Sequence, residues 1–231
     1  MPFFLKHRDT NAHEKMDDPR CDKEELFNTY EQFSTINGLI SGWKSIYRKN
    51  IRPYCLDFSQ SYTLLDIGFG GGDLAISLAR WAKNDGVNLH ITAIETDPRA
   101  CDYVQTIETP PAINFRQISS SALVKEGDTF DFVISNHLLH HLNEDELQQL
   151  LTESRKLSTH KVLFNDIERS DIGYLLFNIL SRPLFRRSFI TEDGLTSIRR
   201  SYTAKELRSI VPEAWKVKRN FPYRLLLSYE H

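Results

Sequence analysis

The stretch Leu64-Leu65-Asp66-Ile67-Gly68-Phe69-Gly70-Gly71-Gly72-Asp73-Leu74 decides the fold. Leu64 to Ile67 reads as a central parallel strand, apolar apart from Asp66, and the glycines after it break the strand into a turn. Gly68, Gly70 and Gly72 let the backbone take positive φ and let a ligand approach where a Cβ would collide. Beyond the turn, Leu74, Leu78 and Ala82 recur on one helical stripe, with Ala75 and Ala79 beside it. Strand, glycine turn and helix in this order make a cradle for a small molecule at the carboxyl end of a parallel strand.

The departures from a dinucleotide fingerprint narrow the ligand. Gly-x-Gly-x-x-Gly starting at Gly68 would need Gly or Ala at position 73, where this chain has Asp73. A carboxylate at a helix start repels the pyrophosphate that such a turn otherwise holds. Asp66 at the strand end and Asp73 at the helix start give the mouth a fixed negative charge, which suits a ligand carrying an ammonium and a sulfonium. S-adenosylmethionine carries both, and S-adenosylhomocysteine is what remains after its methyl leaves. The competing reading is a nucleotide or dinucleotide domain with a degenerate loop.

Asp66 to Asp73 resembles motif I of the class I S-adenosylmethionine-dependent methyltransferases, and later segments match that family in order. Ile91-Thr92-Ala93-Ile94-Glu95 resembles the second strand, whose terminal acid holds both ribose hydroxyls of the cofactor. The resemblance gives Glu95 that role, with Thr96 next to it, and a carboxylate offers two acceptor oxygens to a vicinal diol. The third strand, Ile113 to Gln117, is usually followed in the family by an acid that bonds the adenine amino group. Here the aligned position is Ser119, with Ser120 beside it, and a hydroxyl is a weaker acceptor. Phe130 to Asn136 resembles the fourth strand, so Asn136 and His137 stand where cofactor and acceptor meet. The resemblance runs from about Tyr62 to Asp166, with a weaker tail. It implies an α/β, Rossmann-like seven-stranded sheet, mostly parallel with an antiparallel last strand, helices on both faces, and helical N-terminal and inserted lids. The expected cofactor-binding residues are Asp66, Gly68, Phe69, Gly70, Gly72, Asp73, Glu95, Thr96, Ser119, Ser120, Asn136 and His137.

Around this core, residues 1–60 read as an N-terminal arm and helical lid, and 61–231 as the methyltransferase core with a lid insertion at about 168–202. Residues 1 to about 20 are polar and charged and read as a flexible arm. From Asp22 to about Tyr54 the apolar residues recur at helical spacing, with Gly38 and Gly42 as breaks between two helices. The fifth strand, Lys161 to Asn165, and the capping box Thr203-Ala204-Lys205-Glu206 are joined by a connection too long for a plain loop. It is rich in aromatic and aliphatic residues and in arginine, and reads as a cover for the acceptor site or as a contact between copies, a homodimer included. Arg199 and Arg200 could anchor an acidic acceptor or stay solvated. Trp215 to Arg219 and Tyr223 to Ser228, joined by Asn220-Phe221-Pro222, fit the antiparallel hairpin that ends the family's sheet.

Bulk properties bound the function. A chain of 231 residues suffices for one α/β domain with an appended cover. The formal net charge of −2 supplies no global positive field for nucleic acid or an anionic membrane. There is no twenty-residue apolar stretch, and Met1 to Arg8 turns polar too soon for a signal peptide, so a cytoplasmic location is expected. Cys21, Cys55 and Cys101 are widely spaced and read as reduced thiols.

The residues after the fourth strand bear on the acceptor. Family members that methylate exocyclic amines carry Asn or Asp, then Pro-Pro and an aromatic, at that place. This chain has Asn136-His137-Leu138-Leu139, and no cysteine stands where a cytosine-C5 enzyme needs one. Both absences argue against a nucleobase; the aromatic lid and the analogy to small-molecule members of the family imply a small acceptor, aromatic or quinol-like, methylated on oxygen in secondary metabolism. If His137 to His141 begins a helix, His137, His140 and His141 lie near one face. His141, and after it His140, are the candidate general bases, because a neutral imidazole can take a proton from a phenol or enol. The quinone-pathway O-methyltransferases, a similar family, have Glu-x-x-Glu-His here with a divalent metal on the acidic pair. That pair is missing in this chain, and no metal is expected. The other readings are C- or carboxyl-methyl transfer on the same fold, and a cofactor-binding protein without catalysis.

Overall fold

The computed structural model describes residues 2–231 and centres on β1 (Ser61–Ile67), which pairs in parallel with β2 (Asn88–Glu95) on one side and β4 (Phe130–Asn136) on the other. With β3 (Ile113–Gln117), β5 (Ser158–Ile167), β6 (Lys216–Asn220) and β7 (Arg224–Glu230) the sheet runs β3-β2-β1-β4-β5-β7-β6. β7 alone is antiparallel to its neighbours β5 and β6. The chain leaves β1 towards β2 and β3 and then returns to the other side for β4, so the carboxyl ends of β1 and β4 part at the switch point where open α/β sheets bind ligands.

Alternation along β1 sends side chains to two apolar layers. Leu64 packs with Ile91 and Phe132 under α1 (Lys23–Ile40), α2 (Trp43–Asn50) and α3 (Asp73–Asn84), through Leu26, Trp43, Leu74 and Leu78. Leu65 packs with Ile94 and Val133 against α6 (Glu144–Leu157) and α9 (Ala204–Ile210), through Leu147, Leu151 and Leu207. α4 (Pro98–Val104) and α5 (Ser120–Glu126) follow β2 and β3. α9 opens on the expected capping box, with Thr203 and Glu206 exchanging side-chain to backbone bonds. The three cysteines are free thiols. Among the described residues no helix is long and apolar enough to cross a membrane.

Three local expectations need correction. Gly38 lies inside α1, and only Gly42, in the left-handed region at φ 72°, separates α1 from α2. His137 to His141 does not begin an α-helix. His137 takes φ 61°, Leu139–His141 forms one 3₁₀ turn, and α6 starts only at Glu144 behind its cap Asn143. The N-terminal arm is tied down along its backbone. Arg169 Nε donates to the Leu5 carbonyl at 2.9 Å, Arg8 Nη2 donates to the carbonyls of His140 and Leu142 at 2.9 Å, and Arg99 Nη2 donates to the Met16 carbonyl at 2.9 Å. The Asp193 carboxylate accepts from Lys15 N–H at 2.7 Å and Met16 N–H at 2.9 Å. The polar composition that reads as disorder thus pairs with buried partners distant in sequence. Asp193 belongs to α8 (Ile190–Arg200), which with α7 (Asp171–Leu184) fills the connection between β5 and α9.

Candidate active site

A cavity of about 530 Å³ opens at the carboxyl ends of β1 and β4. Asp66, Gly68, Phe69, Gly70, Asp73, Glu95, Asn136 and His137 all line it. A second cavity of about 270 Å³ shares Gly68, Glu95 and Leu138 with the first and takes in Thr96, Ser119 and Ser120. Of the twelve expected cofactor residues, Gly72 lines neither. It starts α3 at φ 74°, and a Cβ there would stand 3.1 Å from the Phe115 ring, so helix geometry and packing demand this glycine.

The electrostatics of the larger cavity are acidic. Asp66 is 1 % exposed, and its Oδ2 has no hydrogen-bond partner among the described residues. Burial, with the nearby charges of Asp73 and Glu95, pushes its carboxyl up to about 8. Burial also raises Asp73, to about 6, against the stabilising bond from Asn37 Nδ2 at 3.0 Å. Glu95 Oε1 accepts from Thr96 N–H at 2.7 Å and its Oε2 from Gly70 N–H at 3.3 Å, which clamps the glycine turn to the end of β2. An orphaned buried carboxylate beside two more acids is a poor site for a diphosphate and fits a ligand with ammonium and sulfonium charges.

In the smaller cavity the Ser119 hydroxyl caps α5 by accepting from Ala122 N–H at 3.3 Å. Ser120 and Ser121 donate to the Glu153 carboxylate at 2.6 and 2.5 Å. Glu153 comes from α6 and puts an acid beside the position where the chain after β3 lacks one.

The three histidines have different environments. His137 donates its N–H to the Asn165 carbonyl at 3.0 Å, and its Nε2 lies 2.7 Å from Arg224 Nη1. Burial and the Arg224 charge hold it well below its ordinary value, so it is a neutral ring whose acceptor nitrogen is taken. His140 is buried between Asp166 Oδ1 at 2.8 Å from Nδ1 and Glu14 Oε1 at 3.2 Å from Nε2. Burial opposes its charge, but the two carboxylates outweigh it and raise the imidazole to about 9. Asp166 is correspondingly held well below the carboxylate range, its burial outweighed by the His140 charge and bond. A ring protonated at neutral pH cannot accept a proton, which removes His140 from the candidate bases. His141 lines the cavity and stays partly open to it, with Asp17 Oδ2 at 3.4 Å from Nδ1 and Glu14 Oε1 at 3.8 Å from Nε2.

Glu14, Asp17, Asn37 and Glu153 are site residues that sequence reasoning missed. Glu14 and Asp17 lie on the docked arm and Asn37 on α1, far in sequence from the motifs, and nothing in their local pattern marks them. Glu14, His140 and His141 each offer one ligand atom within 4.8 Å of the others, so this corner could also hold a metal ion. Arg200 does not face an acceptor. It is buried, and its guanidinium donates to the carbonyls of Ala12, His140 and His141.

Residues 64–160 match a family model described as a methyltransferase domain. The ribosomal RNA small subunit methyltransferase G of Dinoroseobacter shibae is 30% identical over 109 residues, 44% of this chain and 55% of that protein. The chain therefore spans about half the length of this curated relative. The plantazolicin methyltransferase BpumL, solved with S-adenosylhomocysteine, superposes with a TM-score of 0.60 at 15% identity, over 93% of this chain and 90% of that one. Human N-acetylserotonin methyltransferase, solved with S-adenosylmethionine, gives 0.60 at 13% identity, over 90% of this chain and 56% of that one. Strand order and acidic cradle agree with the match of residues 64–160 to a methyltransferase domain, and the fold is that of the solved methyltransferases.

Proposed function

We propose that the chain transfers a methyl group from S-adenosylmethionine to an oxygen of a small aromatic or quinol-like acceptor. The observation that carries the donor half is the unpartnered, buried Asp66 carboxylate facing a cavity it shares with Asp73 and Glu95. These acids would hold the ammonium and ribose ends of the cofactor, with Gly68 and Gly70 giving backbone room between them. Thr96, Ser119, Ser120 and Glu153 supply hydrogen-bonding groups around the smaller cavity, which suits an adenine. Bound there, the cofactor would supply an electrophilic methyl on a positive sulfur.

The acceptor end belongs to this chain's own residues. His141 would take the acceptor's hydroxyl proton, and Asp17 and Glu14 orient its ring and stabilise the charge it gains. Phe33, Ile36, Phe177, Leu180 and Phe185 line the cavity, favouring an apolar ring and excluding water from the reacting oxygen. The N-terminal helices and α7 with α8 are read as the covers of this acceptor end.

Calorimetry with S-adenosylmethionine, followed by a methyl-transfer screen over phenols, quinols and carboxylic acids, tests the reading. Tight cofactor binding with a methylated phenol or quinol is expected. Tight binding without product from the whole panel would make the chain a non-catalytic binding protein, a product only from carboxylic acids would move the acceptor class, and stronger binding of NADH would overturn the cofactor.

A further inference from the structure

α7 turns most of an apolar half-cylinder to solvent. Ile172, Leu175, Leu176, Ile179, Leu180 and Leu184 fall within about half of the helix circumference and are 46% to 68% exposed. Leu176, Leu180 and Leu184 also line the larger cavity, so this face and the acceptor end of the cavity are one surface. Across the mouth, Leu39 of α1 is likewise both lining and exposed.

The apolar surface continues past the start of α7. The Asp171 carboxylate accepts from the backbone N–H groups of Phe3, Phe4 and Leu5, which fixes both exposed phenylalanines beside the helix, and Phe4 meets Tyr174 edge-on. On the other side, Gly173 packs on Tyr223, and two residues before it Phe221 is 92% exposed, its carbonyl next to Gly42. Arm, α7, the β6–β7 turn and the end of α1 thus ring one opening with exposed apolar side chains. A contiguous patch of this kind marks an interaction surface.

Apart from Asp171, which the arm's N–H groups take up, the charges along the rim are mainly positive. Residues 32–44, 172–190 and 220–224, which carry the exposed apolar rim, contain no Asp or Glu, with Glu31 and Asp171 flanking them, in a chain of formal net charge −2. Lys44, Arg182, Arg186 and Arg187 are exposed there. Exposed leucines and phenylalanines bordered by more cations than anions suit the interface of an anionic bilayer. An RNA would be attracted to the cations and would leave the leucines in water.

We propose that the rim of this opening docks on an anionic lipid bilayer, and that the acceptor, an amphiphile with an apolar tail, enters the cavity from the bilayer. The second clause rests on the methyltransferase reading of the site; the first does not. The global charge balance points away from membranes only because it averages over faces that differ.

Co-sedimentation of the full chain with vesicles of equimolar phosphatidylglycerol and phosphatidylcholine, against vesicles of phosphatidylcholine alone, tests docking. Binding to the anionic vesicles should exceed binding to neutral ones by about tenfold or more and fall at high salt. The double variant Leu175→Asp/Ile179→Asp should weaken vesicle binding by about tenfold, and Arg186→Glu/Arg187→Glu should remove most of its salt dependence. None of these residues lines the cavity, so the S-adenosylmethionine affinity of both variants should equal that of the parent, which also shows that they fold. Absence of sedimentation with either vesicle overturns the proposal, as does sedimentation that the Asp substitutions leave unchanged. A dimer in light scattering that Leu175→Asp/Ile179→Asp disperses would assign the face to a second copy, and tight binding of single-stranded RNA without vesicle binding would assign it to nucleic acid. Vesicle binding with no cofactor binding would sink the methyltransferase reading and leave the docking intact.

Discussion

Asp66 is a carboxyl that the fold keeps out of water without giving its Oδ2 a partner, and a cationic ligand would change its preferred state. In the free protein it is protonated below about 8, and Asp73 below about 6, both raised chiefly by burial. Both folded values lie above the unfolded ones, so ionisation costs folding stability progressively as pH rises from about 4 through 8. A ligand with an ammonium near these groups favours the ionised forms and releases protons on binding below pH about 8. S-adenosylmethionine affinity should therefore climb between pH 6 and 8, by up to about tenfold per unit for one coupled proton, and then level off. Calorimetry in two buffers of different ionisation enthalpy counts the protons, and Asp66→Asn should flatten the climb. The histidines separate in the same way. His141→Ala should lower turnover by about a hundredfold or more with cofactor affinity unchanged. His140→Ala should instead lower stability, by about 3–5 kcal/mol in thermal or denaturant unfolding, because it leaves Asp166 and Glu14 buried without their cation. A His141→Ala enzyme with full turnover would remove the proposed base.

At the level of elements, what could be read in the sequence is what repeats with a short period or depends on neighbours. The strands after which the chain turns, the stripe of α3, the Thr203 capping box and the closing hairpin all depend on residues within a few positions of one another, and the structure has them in place. The segment after β4 was not legible as a turn. His137 to Leu142 has helical apolar spacing, but Asn165 takes the His137 N–H and Asp166 the His140 N–H, and those bonds hold a 3₁₀ turn instead. The roles of individual glycines were hidden for the same reason. Gly71 is pressed against α1, where a Cβ would stand 2.9 Å from the Tyr30 carbonyl, and Gly72 against β3, contacts that no local pattern announces. Gly72→Ala should then cost about 1–3 kcal/mol from its positive φ, before the Phe115 contact is counted. Unfolding curves of parent and variant measure it; an unchanged midpoint would mean that α3 starts differently in solution.

For the molecule as a whole, the arm joins parts that the sheet alone does not connect. Arg169, at the end of β5, is almost completely buried and donates to the carbonyls of Leu5 on the arm and Ser201 between α8 and α9, while also pairing with Glu206 at the start of α9. One guanidinium therefore ties arm, core and the α7–α8 connection together, and Asp193 repeats the arrangement further along the arm through Lys15 and Met16. Because Glu14 and Asp17 reach His141 only while the arm is docked, the acid pair at the acceptor end exists as a consequence of this tie. Arg169→Ala should remove a buried charge whose partners are then unsatisfied, at about 3–5 kcal/mol, which for a chain of this size lowers the melting midpoint by on the order of 10 °C. The loss should be uneven. Trypsin should cleave at Arg8 or Lys15 in the variant well below its melting temperature while the sheet stays protected, because the arm can leave without unfolding β1 to β5. Turnover should fall with the arm's release while S-adenosylmethionine binding, held by β1, β2 and the glycine turn, persists. If cleavage of the arm instead tracked global unfolding and cofactor binding vanished with it, the arm would be part of the core, and donor binding and acceptor chemistry would not be divided between sheet and arm.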